Sequence, residues 1–265
     1  MKRRTVLFGA AAGLVTPAVL APTAPALGAT RPSAPAWDPT PAPRPVRPTA
    51  PRRRNLAHGL RTLPAQTKQV IIVTTATATA TTTYATLEAY TRVQDRWQQA
   101  SALMHARIGS KGFSDNHVEG VPSTPTGVYA IGSTMYGIAA NPGVRYPYHR
   151  LVSGDWWNEN PTSSRYNSFQ HSTSNPGGAS EALWTEVPAY THFAVITYNM
   201  PPTVPTPVPY KGSGIFLHQF STSGGNPTAG CVSLAHADLV DVLSWLDPTL
   251  SPRIVLSPYN QLGRY

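Results

Sequence analysis

The sequence predicts a mainly β, sandwich-like fold with one clear helix near the C-terminal end. An export signal and a proline-rich linker precede it. Three observations carry this reading. Short apolar or β-branched runs recur from residue 69 onward. Gly- and Pro-bearing turns separate them. Only residues 235–246 show a helical apolar stripe, at Leu239, Val240, Leu243 and Leu246.

The chain opens Met1-Lys2-Arg3-Arg4, runs through small apolar residues from Gly9 to Leu20, and reaches small residues around Ala24-Pro25-Ala26 and Ala29. A basic head, a short apolar run and small residues predict an export signal over 1–30. Arg3-Arg4 before Val6-Leu7-Phe8 resembles a twin-arginine signal, which means export after folding; a general secretory signal is the alternative. The run is too short and too rich in Pro, Gly and Ala for a membrane-spanning helix. The expected location is the cell envelope or the extracellular space.

Residues 31–65 read as a disordered Pro/Arg-rich linker. Pro recurs from Pro32 to Pro51 and a basic cluster, Arg52-Arg53-Arg54, follows. Such a segment has little apolar area to offset its ordering entropy. The net charge of +9 belongs to this region and the signal, because residues 69–265 hold ten Lys/Arg against eleven Asp/Glu. No basic surplus is left in the folded part, which removes the main support for a nucleic-acid partner. The basic linker suits electrostatic contact with anionic envelope polymers or lipid headgroups. A solvated tail without a partner reads equally well.

Residues 66–261 are expected to form one domain, and a monomer. A single cysteine allows no internal disulfide, so packing must supply the stability. Strands are predicted at 69–75, 84–91, one or two over 96–108, 127–132, 146–152, 192–199, 214–220 and 253–256. The Thr/Ala run up to Thr83 is β-compatible, and 111–126 reads as loop. Asp238 suits the positive end of the helix at 235–246, and Asp247-Pro248 ends it. Residues 155–190 read as one long connection with little regular structure. Its Trp156 and Trp157 form a wall of a substrate cleft or simply cover core.

His218 stands 13 residues before Cys231, the only cysteine. The strand ending near His218 leads into a Ser/Gly/Asn/Pro loop, Ser221 to Pro227, and Cys231 is expected just before the helix. This order can fold the imidazole back onto the thiol, where it can take the thiol proton. A lone cysteine is more often a small buried hydrophobe. Two features favour catalysis here: Gly230 lets a carbonyl approach the backbone N–H groups, and an exported thiol without a use invites oxidation. One cysteine and scattered histidines make no zinc ligand set, so neither metal nor cofactor is expected. His236 is close enough to join the site, whereas His105, His117, His149, His171 and His192 read as ordinary loop or strand residues.

Gly214-Ile215-Phe216-Leu217-His218, Pro227-Thr228-Ala229-Gly230-Cys231-Val232-Ser233-Leu234 and Trp245-Leu246-Asp247-Pro248 together resemble the catalytic end of YkuD-type L,D-transpeptidases. Trp157-Asn158-Glu159, Tyr166-Asn167 and Val195-Ile196-Thr197-Tyr198-Asn199 resemble that family's preceding segments. The resemblance implies a YkuD-like β-sandwich and a cysteine acyltransferase acting on peptidoglycan stem peptides. It implies Cys231 as nucleophile and His218 as base. A thiolate would attack the carbonyl between the third stem residue and the terminal D-alanine. The acyl group would pass to a stem amine, giving a 3→3 cross-link, or to a protein amine or water. Ala229 stands where many members carry a second His, and Ser233 where they carry Arg or Asn. This marks a distinct Thr-Ala-Gly-Cys branch.

On this reading a Cys231–His218 ion pair, helped by the following helix, lowers the thiol pKa from about 8.5 to roughly 3.5–7.5. The N–H groups of Gly230 and Cys231 hold the oxyanion, and Thr228 and Ser233 line the same substrate site. Two alternatives stand beside it: an L,D-carboxypeptidase that releases the same acyl-enzyme to water, and a non-catalytic peptidoglycan-binding module.

Overall fold

The structure is a computed structural model that describes residues 54–76 and 82–265. The expected export signal, the linker up to residue 53 and the Thr/Ala run at 77–81 lie outside the described residues. The first half carries β1 (Gln69–Thr75), β2 (Tyr84–Val93), β3 (Arg96–Gln99), β4 (Met104–Arg107), β5 (Phe113–Ser114), β6 (Thr124–Pro125) and β7 (Gly127–Gly137). The second half carries β8 (Tyr148–Arg150), β9 (Asp155–Asn158), β10 (Ser168–His171), β11 (Glu181–Ala182), β12 (Phe193–Ile196), β13 (Phe216–Gln219), β14 (Val232–Leu234), α1 (His236–Trp245) and β15 (Arg253–Pro258).

The mainly β class and the single clear helix are as the sequence predicts. The principal sheet runs β1-β15-β7-β12-β13-β14-β4-β2-β3, and β1 also pairs with β2. The layers of the expected sandwich therefore join into a closed eight-stranded ring, with β3 and β8 attached at its margin. Closure removes the exposed edges that an open sheet would present. β1 is buried along its whole length and pairs in parallel with β15, which explains its unbroken apolar run Val70-Ile71-Ile72-Val73.

Alternation along the strands builds cores on both faces. One cluster takes residues from every strand of the ring, among them Ile71, Leu87, Ala106, Ile131, Ala194, Leu217, Val232 and Ile254. Helix α1 packs Leu239, Val242, Leu243 and Leu246 onto it. Val242, not the expected Val240, completes that stripe, because Val240 is only half-buried. Asp247 follows the helix and caps a short turn by accepting from the Thr249 N–H at 2.9 Å.

Two corrections concern boundaries. Residues 54–65, assigned to the linker, are packed: Leu56–Gly59 form a 3₁₀ turn with Ala57 fully buried beside Val70, Tyr90 and Leu262. The Thr62 N–H also donates to the carbonyl of Tyr265 at 3.1 Å, so packing continues past residue 261. Leu56, Leu60 and Leu63 supply the apolar area that the segment upstream of them lacks.

The second correction is larger. Residues 155–190, expected to be irregular, form a small sheet ordered β10-β9-β11, followed by a 3₁₀ turn at Leu183–Thr185. Its strands are two to four residues long, too short for alternation to stand out from the Ser, Asn and Gly around them. Trp157 is buried and meets Phe216 of β13 edge-on, with ring centroids 4.9 Å apart. Trp156 points to the other face and meets Trp184. The small sheet thus covers the outer face of β12 and β13 with a second core: Trp157, Leu183, Tyr190, Phe193, Phe216 and Cys231.

Candidate active site

β13 and β14 run in parallel, with His218 opposite Ser233 and Leu217 opposite Val232. Alternation then sets Phe216, His218, Cys231 and Ser233 on one face, and Leu217 and Val232 on the other, in the inner core. Cys231 lies immediately before β14, and α1 begins only at His236. The expectation that the helix directly follows the cysteine is corrected: β14 intervenes, because Ser233 and Leu234 pair with β4. The helix N-terminus is therefore no near neighbour of the thiol along the chain.

A cavity of about 370 Å³ opens on this face. Cys231, His218, Gly230 and Thr228 all line it, together with Ala229. The structure thus brings four of the five predicted site residues to one cavity. Ser233 is not among them: it is buried within β14, between His218 and Arg107 in register. Neighbouring strands take the space around its side chain.

The thiol is held on two sides. Cys231 Sγ donates to the Gly214 carbonyl at 3.2 Å and accepts the Phe216 N–H at 3.3 Å. His218 donates its Nδ1–H to the Gln219 carbonyl at 2.6 Å. A carbonyl can only accept, so the neutral ring carries its proton on Nδ1 and leaves Nε2 as a proton acceptor. Gln219 is tied in turn to α1, since its Oε1 accepts from His236 Nδ1 at 2.7 Å. His236 reaches the site through Gln219 and is not among the residues lining the cavity.

Burial works against the expected resting ion pair. Burial pushes the Cys231 thiol far up, and the charges of Glu181 and Glu159 add to this. The N–H groups of Phe216 and of Cys231 itself pull the other way, less strongly. Burial also pushes the His218 imidazole down to about 4, against a smaller upward pull from its bond to Gln219. Both groups pay to be charged away from water, and a charge-separated pair forms only when something else in the cavity stabilises it.

The Gly230–Cys231 backbone is fixed by two threonines. Thr228 Oγ1 donates to the Cys231 carbonyl at 2.6 Å and accepts the Gly230 N–H at 3.2 Å. Thr124 Oγ1 donates to the Gly230 carbonyl at 2.8 Å. The Gly230 N–H is thereby engaged, which corrects its expected role as an oxyanion donor. A side chain at Gly230 would press on the carbonyl of Ser123 and on Ile215, both 3.0 Å from a built Cβ.

Several lining residues were missed in the sequence. His117, read as an ordinary loop residue, is buried, bonds through Nδ1 with Ser123 Oγ at 3.1 Å and lines the cavity. Four carboxylates also line it: Glu119, Glu159, Glu181 and Glu186. The small sheet supplies its wall through Glu159 and Glu181, not through Trp156 and Trp157. Glu119 comes from a loop, Glu159 from just past the end of β9, and Glu181 and Glu186 from β11 and the turn after it, so nothing in their spacing marks them as a group.

A family model described as the YkuD L,D-transpeptidase catalytic domain matches residues 68–255. No curated protein and no solved structure matches the chain. The matched span holds β1 to β14, the helix and the cavity with its thiol and imidazole, and it covers well over half of the sequence. The chain belongs to the YkuD family of L,D-transpeptidase catalytic domains.

Proposed function

We propose that this chain is a cysteine acyltransferase of the cell envelope that cross-links peptidoglycan stems through an acyl-enzyme on Cys231. The observation that carries the reading is the shared cavity face of Cys231 and His218, within a domain of this family. His218 Nε2 takes the thiol proton as the sulfur attacks the carbonyl between the third stem residue and the terminal D-alanine. The Cys231 N–H stabilises the oxyanion; one such donor is typically worth about 3 kcal/mol. The C–N bond breaks, His218 returns the proton to the departing D-alanine amine, and a thioester remains. An amine of a second stem then attacks the thioester, gives up a proton to His218 and displaces the sulfur.

The test is incubation with a carbapenem, followed by intact mass. Wild type gains one covalent adduct and Cys231→Ser gains none. Folded, reduced wild type that stays unmodified would overturn the acyl-enzyme. The burial of the thiol favours a second reading, a peptidoglycan-binding module without turnover. Muropeptide binding that survives Cys231→Ala, with no product from wild type, would establish that reading instead. Muropeptide products formed with and without an acceptor amine separate cross-linking from hydrolysis.

A further inference from the structure

Cys231 shares its cavity with four carboxylates. The cavity is lined by Glu119, Glu159, Glu181 and Glu186, by the imidazoles of His117 and His218, and by Tyr190; no Lys or Arg occurs among the described lining residues. Two of the acids come close to the sulfur through short structural links. Cys231 Sγ bonds to the carbonyl of Gly214, and Glu159 Oε1 packs so tightly against Gly214 that a side chain there would collide with it. Glu181 is fixed by Tyr190, whose hydroxyl donates to Glu181 Oε2 at 2.6 Å, and Tyr190 stands edge-on to His218 with ring centroids 5.6 Å apart. Register sets Glu181 opposite Trp157 on β9, two residues from Glu159, so both acids share the face of the small sheet that covers β13.

We propose that Glu181 and Glu159 are charge-setting residues of this site: while ionised they add to the cost of forming a thiolate at Cys231, and removing their charge makes the thiol easier to ionise. The inference rests on Cys231 being the nucleophile named above. An anion beside a thiol disfavours a second anion on the sulfur. His218 cannot offset this at rest, because burial keeps it neutral. Glu119 is engaged differently, since its Oε2 accepts from Tyr166 and from Ser213. Burial raises the carboxyl of Glu181 to about 7 and that of Glu159 to about 9, so both charges act on the thiol only toward alkaline pH.

The experiment is the rate of alkylation of Cys231 by iodoacetamide at about pH 10, where the acids are ionised, read by intact mass. The thiolate displaces iodide, one S–C bond forms and the proton goes to solvent. Glu181→Gln keeps an acceptor for the Tyr190 hydroxyl and removes the charge. It should be alkylated about tenfold faster than wild type. Glu181→Asp keeps the charge and should stay near the wild-type rate. Glu159→Gln should also be faster than wild type, and it carries the test if Glu181→Gln does not fold. Rates of the Gln variants that coincide with wild type would overturn the proposal. So would a Glu181→Asp rate matching Glu181→Gln, or no alkylation in any variant. The assay uses no peptidoglycan substrate, so its failure is distinct from failure of carbapenem acylation.

Discussion

The side chain of Asn167 accepts the indole N–H of Trp157 at 2.9 Å, and the same amide ties the small sheet to the segments that follow β12 and precede β13. The same Oδ1 accepts the Gly214 N–H at 3.1 Å, and Nδ2 donates to the carbonyls of Tyr198 and Asn199 at 3.1 and 2.9 Å. Gly214 in turn supplies the carbonyl that holds the Cys231 thiol. One buried amide thus connects the cavity wall, the approach to β13 and, through Gly214, the Cys231 thiol.

Asn167→Ala should be among the most destabilising polar substitutions in the domain. It strands four backbone or indole groups, of which the Trp157 indole N–H and the Asn199 carbonyl are in buried bonds that cost about 1–3 kcal/mol each when left unpaired. Asn167 also has φ +55°, a region that costs alanine about 1–2 kcal/mol. A loss of at least about 3 kcal/mol in urea unfolding is expected, with slower carbapenem acylation in the fraction that stays folded. A loss below about 1 kcal/mol would show that the amide is not the joint described here.

Thr228 is expected to act through the backbone of Gly230 and Cys231. Thr228→Val removes the hydroxyl that bonds both, at a cost of about 1–3 kcal/mol in stability. Carbapenem acylation should slow about tenfold or more as the Cys231 N–H loses its aim. Thr228→Ser keeps the hydroxyl and should stay near wild type. Equal rates for Val and Ser would remove the hydroxyl from the account.

The buried imidazole makes a definite demand on pH. His218 has a folded-state pKa of about 4 against an ordinary value of 6.5. Above pH 6.5 its contribution to stability is fully present; as pH falls through 4 it is lost, because the unfolded chain takes up a proton that the folded one refuses. The loss is about 3 kcal/mol by the cost of a pKa unit. Glu159 and Glu181 act with the opposite sign: their raised folded-state values give stability that is present below about 4.5 and lost as pH rises through about 7 and 9. The difference between wild type and His218→Gln in chemical denaturation isolates the imidazole. It should shrink by about 3 kcal/mol between pH 6.5 and 4, and a constant difference would contradict the neutral buried ring.

Legibility followed the strength of local signals. β1, β12, β15 and α1 stood out because long apolar runs or a 3.6-residue stripe survive averaging over neighbours. β14 was hidden: its three residues, Val232–Leu234, are too few to carry a pattern of their own. The small sheet was hidden for the same reason. Among the site residues, Cys231, His218, Thr228 and Gly230 lie within 14 residues of one another and share a strand-loop-strand unit, so their spacing could be read directly. Glu119, Glu159, Glu181 and His117 come from three separate segments and left no such trace.

The amino-acid sequence by itself determined the class of fold, the single helix and the family, because each rests on a local run or a short motif. Tertiary structure decided the closure of the sheet, the burial of Ser233 away from the cavity and the burial of Cys231 and His218. The cost of charging either group depends on how much water and which distant carboxylates surround it once folded. Desolvation and Coulomb energy are set by distances in space, and the order of residues along a chain does not contain them.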